Sequence, residues 1–217
     1  MHRTRQRKED TVESDPDGQI ERAVDLLVAG GVIAIPTDTL YGLAAPAFDV
    51  DAVMRVFRIK GRDSVAALPL LLADPEDAPL LAGSFPSVAQ RLAERFWPGP
   101  LTIVLPRAAR VPDAVIGGGP TVALRVPDHP VPRHLARSLG TPITGTSANL
   151  SGAAPARSAE EVARQLGGKL DMVFDGGVLP EGPPSTVVDL AASPPKVVRS
   201  GAISAEELSE VAGVRFR

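Results

Sequence analysis

Three short segments of the sequence collect polar and charged side chains that could bind a small ligand. The first, residues 36–43, follows an apolar run and contains Thr37, Asp38, Thr39 and Tyr41, which is the only tyrosine of the chain. Loops that leave strands are where small ligands bind in α/β sheets. The same residue types also build turns in which hydroxyls and a carboxylate bond only the local backbone. The spacing alone leaves both interpretations open.

The second segment places two cations, Lys60 and Arg62, on either side of Gly61 at the end of a predicted helix. Cations near a helix C-terminus complement its dipole, which accounts for one of the two. A lysine point charge next to an arginine fork could also hold a polyphosphate.

The third segment, residues 145–152, also follows a predicted strand. The hydroxyl of Ser147, the amide of Asn149 and backbone N–H groups could cradle phosphate oxygens without a Walker sequence.

Two further arginines could also bind an anionic group of a substrate. Arg125 lies inside an apolar strand, where it needs an anionic partner that could be a structural carboxylate or a substrate. Arg199 lies at a strand end and raises the same question.

The elements that carry these segments alternate between strands and helices, which predicts an α/β fold with one twisted mixed sheet flanked by helices. Late strands lie close together in sequence, which favours some antiparallel pairing. We expect residues 1–17 to form a charged disordered tail and residues 18–217 a single domain. The predicted strands are 32–35, 68–72, 101–105, 121–126, 142–146, 172–174, 185–190 and 196–199. The predicted helices start at Gly18, Asp49, Ser84 or Ser87, Pro130, Ser158 and Ser204, the last two with capping boxes.

Composition excludes several classes of function. The 217 residues include 23 basic and 26 acidic ones, so no overall basic excess favours nucleic acid and any anion needs a local cluster. The chain has no cysteine, which excludes disulfides, thiolate nucleophiles and zinc–cysteine sites. No apolar run reaches the length of a membrane span, and the N-terminus lacks the apolar stretch of a signal peptide. We therefore expect a cytoplasmic protein with no metal site of its own.

Together the segments resemble the YrdC-like family, the threonylcarbamoyl-AMP synthases. The resemblance covers residues 18–203, and seven ordered segments are more specific than any single motif. It implies a YrdC-like fold with an open, concave ligand-binding surface. We expect the chain to lack the extra C-terminal domain of longer members. The matching segments are PTDTLYGL from Pro36, KGR at 60–62, FWPGPLTIVL at 96–105, VALRVPDHP at 122–130, TSANLSG at 146–152, PSTVVDL at 184–190 and VVRSGAI at 197–203.

The resemblance implies a nucleotidyltransferase that makes L-threonylcarbamoyl-AMP and pyrophosphate from L-threonine, bicarbonate or CO2, and ATP with Mg²⁺. Its product would feed N6-threonylcarbamoyladenosine formation in tRNA through a separate transferase complex, and tRNA or double-stranded RNA is a possible partner. The family places its threonine site at residues that match Thr37, Thr39, Tyr41 and Arg125. Its ATP-binding residues match Lys60, Arg62, Ser147, Asn149, Ser185 and Arg199, of which Lys60 and Arg62 are expected to act in catalysis.

One departure from the family pattern bears on activity. Asp63 stands where the family commonly has proline, and Ala66 and Ala67 stand near a lysine and a proline. A lost cation and a gained anion beside the polyphosphate predict weaker ATP binding unless another basic residue compensates. The alternative function is therefore a catalytically weak paralogue that binds nucleotide or double-stranded RNA. A third hypothesis, the carbamoyl-adenylate chemistry of hydrogenase maturation, is disfavoured by the length of the chain.

Overall fold

The computed structural model describes residues 16–61 and 67–216. Its helices are α1 (Pro16–Val28), α2 (Val50–Lys60), α3 (Ala78–Leu81), α4 (Ser87–Phe96), α5 (Asp113–Ile116), α6 (Pro130–Leu139), α7 (Ala159–Leu166) and α8 (Ala205–Ala212). Its strands are β1 (Ile33–Ile35), β2 (Gly42–Ala44), β3 (Leu70–Leu71), β4 (Leu101–Pro106), β5 (Thr121–Arg125), β6 (Ile143–Thr144), β7 (Thr146–Ser147), β8 (Met172–Val173), β9 (Thr186–Asp189) and β10 (Lys196–Arg199). The predicted mixed α/β class is confirmed.

Two predicted features lie partly or wholly outside the described residues. α1 begins at Pro16, so the last two residues of the predicted tail are helical, and the rest of the tail lies outside the described residues. Arg62 and residues 63–66 also lie outside them. The predicted roles of Arg62 and of Asp63 therefore stay predictions.

Helix boundaries follow the capping signals of the sequence. The Asp49 carboxylate accepts a hydrogen bond from the Ala52 N–H at 3.1 Å, and α2 ends at Gly61 with a φ of 62°. Left-handed backbone of this kind is cheap for glycine, which is why the helix ends there. Ser204 and Glu207 form the predicted capping box of α8. At α7, however, the Glu161 carboxylate accepts from the Arg157 N–H instead of closing the predicted box.

Within the described residues the strands divide between two sheets, where the sequence analysis predicted one. The first sheet has the order β7-β2-β1-β8, and the second has the order β10-β9-β4-β5-β3-β6. Each sheet contains both parallel and antiparallel pairs, and β9 and β10 pair antiparallel as predicted for the late strands. The mixed character is therefore confirmed, although it is shared between two sheets.

The chain passes from one sheet to the other at Gly145. The sequence predicts a single strand over 142–146, but β6 pairs with β3 in the second sheet and β7 pairs with β2 in the first. A Cβ atom on Gly145 would lie 2.5 Å from Cγ of the buried Leu71. Only glycine lets the backbone come this close to that side chain. The crossing places Ser147 in β7, which belongs to the first sheet.

Short elements were missed by the sequence analysis. β2 was expected to be part of a loop, because glycine and alanine have low strand propensity. In the structure Ile35 pairs with Gly42, so residues 36–41 become the connection of a β1–β2 hairpin. The small helices α3 and α5 were missed too, since four residues are too few to show a helical period.

The apolar faces pack into two clusters of buried side chains. The larger cluster fills the space among the second sheet, α2, α4 and α8, and includes Phe57, Leu92 and Leu208. The smaller cluster packs α1 against β1 of the first sheet and α6 against β3 and β6 of the second, and it includes Leu27 and Leu135. Among the described helices, none has the length and apolar character that crossing a membrane requires.

We predict that Gly145→Ala lowers the free energy of unfolding by about 1–3 kcal/mol, the usual cost of overpacking a core. The added methyl group would press on Leu71, which is 2% exposed. Denaturant unfolding of the purified variant measures this. Gly182→Ala is the matched control, because nothing lies within 4 Å of its added Cβ atom. Equal stability of the two variants would show that the close approach at Gly145 is not tight.

Candidate functional site

A cavity of about 270 Å³ lies where the two sheets meet. The first sheet contributes the β1–β2 connection and β7, and the second contributes β3, β4, β5 and the region around β9 and β10. Gly145, where the chain crosses from β6 to β7, also lines the cavity. Its lining includes seven residues that the sequence analysis assigned to the site: Thr37, Thr39, Tyr41, Arg125, Ser147, Ser185 and Arg199.

Arg125, the last residue of β5, donates a hydrogen bond from each of its three guanidinium nitrogens. Its Nη2 donates to Oδ1 of Asp38 at 2.6 Å, and the two side chains are 7% and 13% exposed. Its Nη1 donates to Oγ1 of Thr39 at 3.2 Å, and its Nε donates to the Gly99 carbonyl at 3.0 Å. The structural carboxylate that the sequence left open is thus Asp38. Burial lowers the pKa of the Arg125 guanidinium, and the Asp38 charge opposes that shift.

Arg199 brings a second guanidinium to the same cavity. It donates to the Ser185 carbonyl at 2.8 Å and to the Ser185 hydroxyl at 2.8 Å. Among the described residues, no carboxylate lies within 4.0 Å of it. Partial burial lowers the pKa of Arg199, and the nearby positive charge of Arg125 lowers it further. Two cations share the cavity with one paired carboxylate, so the cavity favours an anionic ligand.

Lys60 and Asn149 lie behind the cavity wall and not in it. Lys60 is 3% exposed, and its Nζ donates to the Ser147 carbonyl at 2.5 Å and the Asn149 carbonyl at 3.0 Å. The Asn149 side chain, which is also buried, accepts from Nζ at 3.2 Å and from the Ser147 hydroxyl at 2.6 Å. The ammonium group therefore fixes the loop that presents Ser147 to the cavity. Direct contact of Lys60 and Asn149 with ATP stays a prediction.

The hydroxyls of the β1–β2 connection have protein partners. The Thr37 hydroxyl donates to the Leu40 carbonyl at 2.7 Å and accepts from the Thr39 and Leu40 N–H groups, which makes a local turn. The fully buried Tyr41 hydroxyl donates to the Gly177 carbonyl at 2.9 Å, and burial raises the pKa of this phenol. Thr37 and Tyr41 thus shape the wall, whereas Thr39 faces Arg125. As ligands of threonine, all three remain predictions.

The match to a known family covers the whole of this cavity. Residues 25–201 match the family model Sua5/YciO/YrdC, whose description is telomere recombination. The chain belongs to this family. Every residue that lines the cavity lies within the matched range.

Individual members of the Sua5/YciO/YrdC family support the match. The threonylcarbamoyl-AMP synthase of Pyrococcus abyssi is 42% identical over 195 residues, and that of Bacillus subtilis is 42% identical over 204 residues. These alignments cover 90% and 92% of this chain but 57% and 58% of the relatives. The crystal structure of P. abyssi Sua5 complexed with L-threonine has a TM-score of 0.89 at 40% identity, over 94% of this chain and 61% of that one. The chain therefore spans less than two thirds of the length of these relatives.

The sequence analysis missed two functional features of this family member. It left Asp38 unassigned, although a carboxylate beside two threonines was a fair partner for a strand arginine. It also missed Thr102, whose hydroxyl lies 3.2 Å from that of Ser185 and which is 2% exposed in the cavity wall. Thr102 is the one polar residue in the strand LTIVLP. A single polar residue in an apolar strand was the sequence feature that could have indicated its place in the site.

Two further observations concern metal-binding groups and other cavities. Across the described residues, no group of three or more His, Cys, Asp or Glu side chains is arranged to bind a metal ion. Another cavity, of about 200 Å³, lies between α3 and α6, and none of the predicted site residues lines it. The polar side chains that line the main cavity are mostly guanidinium and hydroxyl groups, which a phosphate ligand would contact.

We predict that Asp38→Asn lowers the free energy of unfolding by about 3 kcal/mol, because it leaves the buried Arg125 without its counter-charge. Chemical denaturation measures this change. Asp113→Asn is the control, since Asp113 pairs with Arg107 at 2.7 Å but is 75% exposed, and such surface pairs contribute less than about 1 kcal/mol. Equal losses in the two variants would contradict a special role for the buried pair.

Proposed function

We propose that this chain is a nucleotidyltransferase that makes L-threonylcarbamoyl-AMP and pyrophosphate from L-threonine, bicarbonate or CO2, and ATP. One observation carries the proposal: a cavity with an excess cation, Arg199, beside the Arg125–Asp38 pair, lined by loops that leave strands. A site of this charge suits a reaction between two anions. Relatives at 42% identity that are named threonylcarbamoyl-AMP synthase support the choice of substrates.

We assign the nucleotide to the side of the cavity formed by Ser147, Ser185 and Arg199. The Arg199 guanidinium holds the Ser185 hydroxyl at 2.8 Å, so a phosphate oxygen placed there would meet a cation and an oriented hydroxyl. Lys60 acts through the loop it fixes. Contact of Arg62 with the polyphosphate stays a prediction from the sequence. Asn149 holds the Ser147 hydroxyl in place.

We assign threonine to the side formed by the β1–β2 connection and Arg125. Arg125 lines the cavity, and Gly99, Thr39 and Asp38 accept one hydrogen bond each from its Nε, Nη1 and Nη2 atoms. The donors left over could bind the threonine carboxylate in a fixed orientation. Thr37 and Tyr41 keep this wall rigid. The P. abyssi structure that contains L-threonine supports an amino-acid site in this fold.

The proposed reaction depends on the alignment of the two bound substrates and needs no nucleophile from the protein. The threonine nitrogen bonds to the carbon of CO2 and loses a proton, which gives a carbamate. A carbamate oxygen forms a bond to the α-phosphorus of ATP, the bond from that phosphorus to the bridging oxygen breaks, and pyrophosphate leaves with the electron pair. Charge neutralisation by Arg199 and fixed geometry at Arg125 are what the chain supplies. Mg²⁺ enters as part of the MgATP substrate, held by phosphate oxygens and water.

The stretch from Asp63 to Ala67 supports the alternative function. Ala67 lines the cavity, so a methyl group stands where a longer polar side chain could have reached the phosphates. The alternative is a weak paralogue that binds nucleotide, tRNA or double-stranded RNA on the same surface. We favour the synthase, because Arg199 already supplies a cation that no described carboxylate neutralises.

We infer the setting of the chain from these substrates. ATP and tRNA meet in the cytoplasm, and a separate transferase complex would take the adenylate and carry its threonylcarbamoyl group to adenosine in tRNA. The chain itself would then need no tRNA site. Its partners would be ATP, L-threonine, bicarbonate and the complex that consumes the product.

One assay tests the proposal. The full chain is incubated with MgATP and bicarbonate, with and without L-threonine, and pyrophosphate and the adenylate are measured by coupled assay and mass spectrometry. We expect pyrophosphate release that depends on threonine, together with an adenylate of matching mass. ATP binding without threonine-dependent product would favour the weak paralogue, and RNA binding without either would contradict the proposed function.

A further inference from the structure

A segment without helix or strand, residues 175–184, lies between β8 and β9 and reaches the wall of the site at its end. We call it the wall segment; its sequence is DGGVLPEGPP. Its last residue, Pro184, lines the cavity next to Ser185. Glycine and proline prevent regular backbone pairing here, so contacts from elsewhere must fix its path. The segment leads directly into Ser185.

Arg157 supplies the contacts at the C-terminal half of the wall segment. Its guanidinium donates to the carbonyls of Pro180 and Gly182 and, at 3.4 Å, to the Thr39 carbonyl. Its own carbonyl accepts from the Leu179 N–H at 2.8 Å. A single side chain therefore ties the wall segment to the β1–β2 connection.

Tyr41 supplies the contacts at the N-terminal half. Its hydroxyl accepts from the Gly176 N–H at 2.9 Å and donates to the Gly177 carbonyl at 2.9 Å. Tyr41 and Thr39 belong to the same β1–β2 connection. Both halves of the wall segment are thus attached to the connection to which we assign threonine.

The Arg157 guanidinium links two elements that lead to opposite sides of the cavity. Thr39, at one end, contacts Arg125 on the threonine side. The wall segment, at the other end, leads into Ser185, which contacts Arg199 on the nucleotide side. Among the described residues, no carboxylate lies within 4.0 Å of the Arg157 guanidinium, so main-chain carbonyls alone orient it. A planar fork can bridge several carbonyls at fixed spacing, which a lysine ammonium on a flexible stem does not do.

We propose that Arg157 is a positioning residue that sets the distance between the threonine side and the nucleotide side of the cavity. The inference rests on the proposed function and deepens it. Arg157 touches neither substrate in this assignment; it acts through Thr39 and the wall segment. Alignment of two bound reactants accelerates their reaction without changing how tightly each binds alone. Arg157 therefore affects turnover and leaves single-substrate affinity in place.

The test compares Arg157→Ala, Arg157→Lys and the control Arg164→Ala in the full chain. Arg164 lies on the exposed face of α7 and meets only Glu160, at 3.8 Å, among the ion pairs of the described residues. Turnover is measured with saturating MgATP, bicarbonate and L-threonine. Binding of MgATP alone and of L-threonine alone is measured by calorimetry, and amide hydrogen exchange is followed by mass spectrometry.

For Arg157→Ala we expect kcat to fall about ten-fold or more, the affinity for each single substrate to stay within about three-fold, and exchange to accelerate in the wall segment only. Arg157→Lys keeps the charge but not the fork, so it should resemble Arg157→Ala. Arg164→Ala should match the wild-type chain in all three measurements.

Any of four results would overturn the proposal. Three of them are wild-type turnover in Arg157→Ala, full rescue of turnover in Arg157→Lys, and a loss of single-substrate affinity as large as the loss of turnover. Unchanged exchange in the wall segment would do the same. The amide hydrogen-exchange measurement does not depend on whether the chain turns over its substrates. A wild-type chain that makes no adenylate would therefore defeat the proposed function, while the exchange data would still decide whether Arg157 holds the wall segment.

Discussion

The site depends on an imbalance of charge in one cavity. Arg125 is buried and needs a counter-charge, which Asp38 supplies at 2.6 Å. Arg199 stands nearby with hydroxyl and carbonyl partners but no carboxylate among the described residues. A buried pair contributes little net stability, but it fixes geometry. The second cation then gives the cavity its preference for an anion, and the remaining features of the fold keep these groups in place.

The charged groups of the site come from both sheets and from distant parts of the sequence. Asp38 and Thr39 come from the hairpin of the first sheet, whereas Arg125 and Arg199 end strands of the second. The crossing at Gly145 joins the sheets, and the buried ammonium of Lys60 fixes the loop that follows. A lysine that looks like a phosphate ligand in the sequence thus acts first as an internal brace. A buried lysine with carbonyl partners can serve both purposes only if ATP binding displaces some of those partners.

Much of the fold could be predicted from the sequence where a local signal existed. Asp49, Gly61 and Gly140 set helix ends through capping and left-handed backbone, and the sequence shows them directly. The division into two sheets could not be predicted, because nothing in residues 142–146 marks a change of partner except one glycine. The site residues were predicted largely by family resemblance. Their hydrogen-bond partners were not predicted, because a contact such as that of the Tyr41 hydroxyl with the Gly177 carbonyl depends on the tertiary fold.

The central claim is that Arg199 carries the unbalanced charge that holds the nucleotide. The most direct measurement is calorimetric binding of MgATP to the wild-type chain and to Arg199→Gln, at low and at moderate salt. Hydrogen bonds to charged groups contribute about 1.5–3 kcal/mol, so the account predicts a Kd at least about ten-fold higher in the variant and a weaker dependence on salt. A Kd within about two-fold of the wild-type value, with the same dependence on salt, would contradict it.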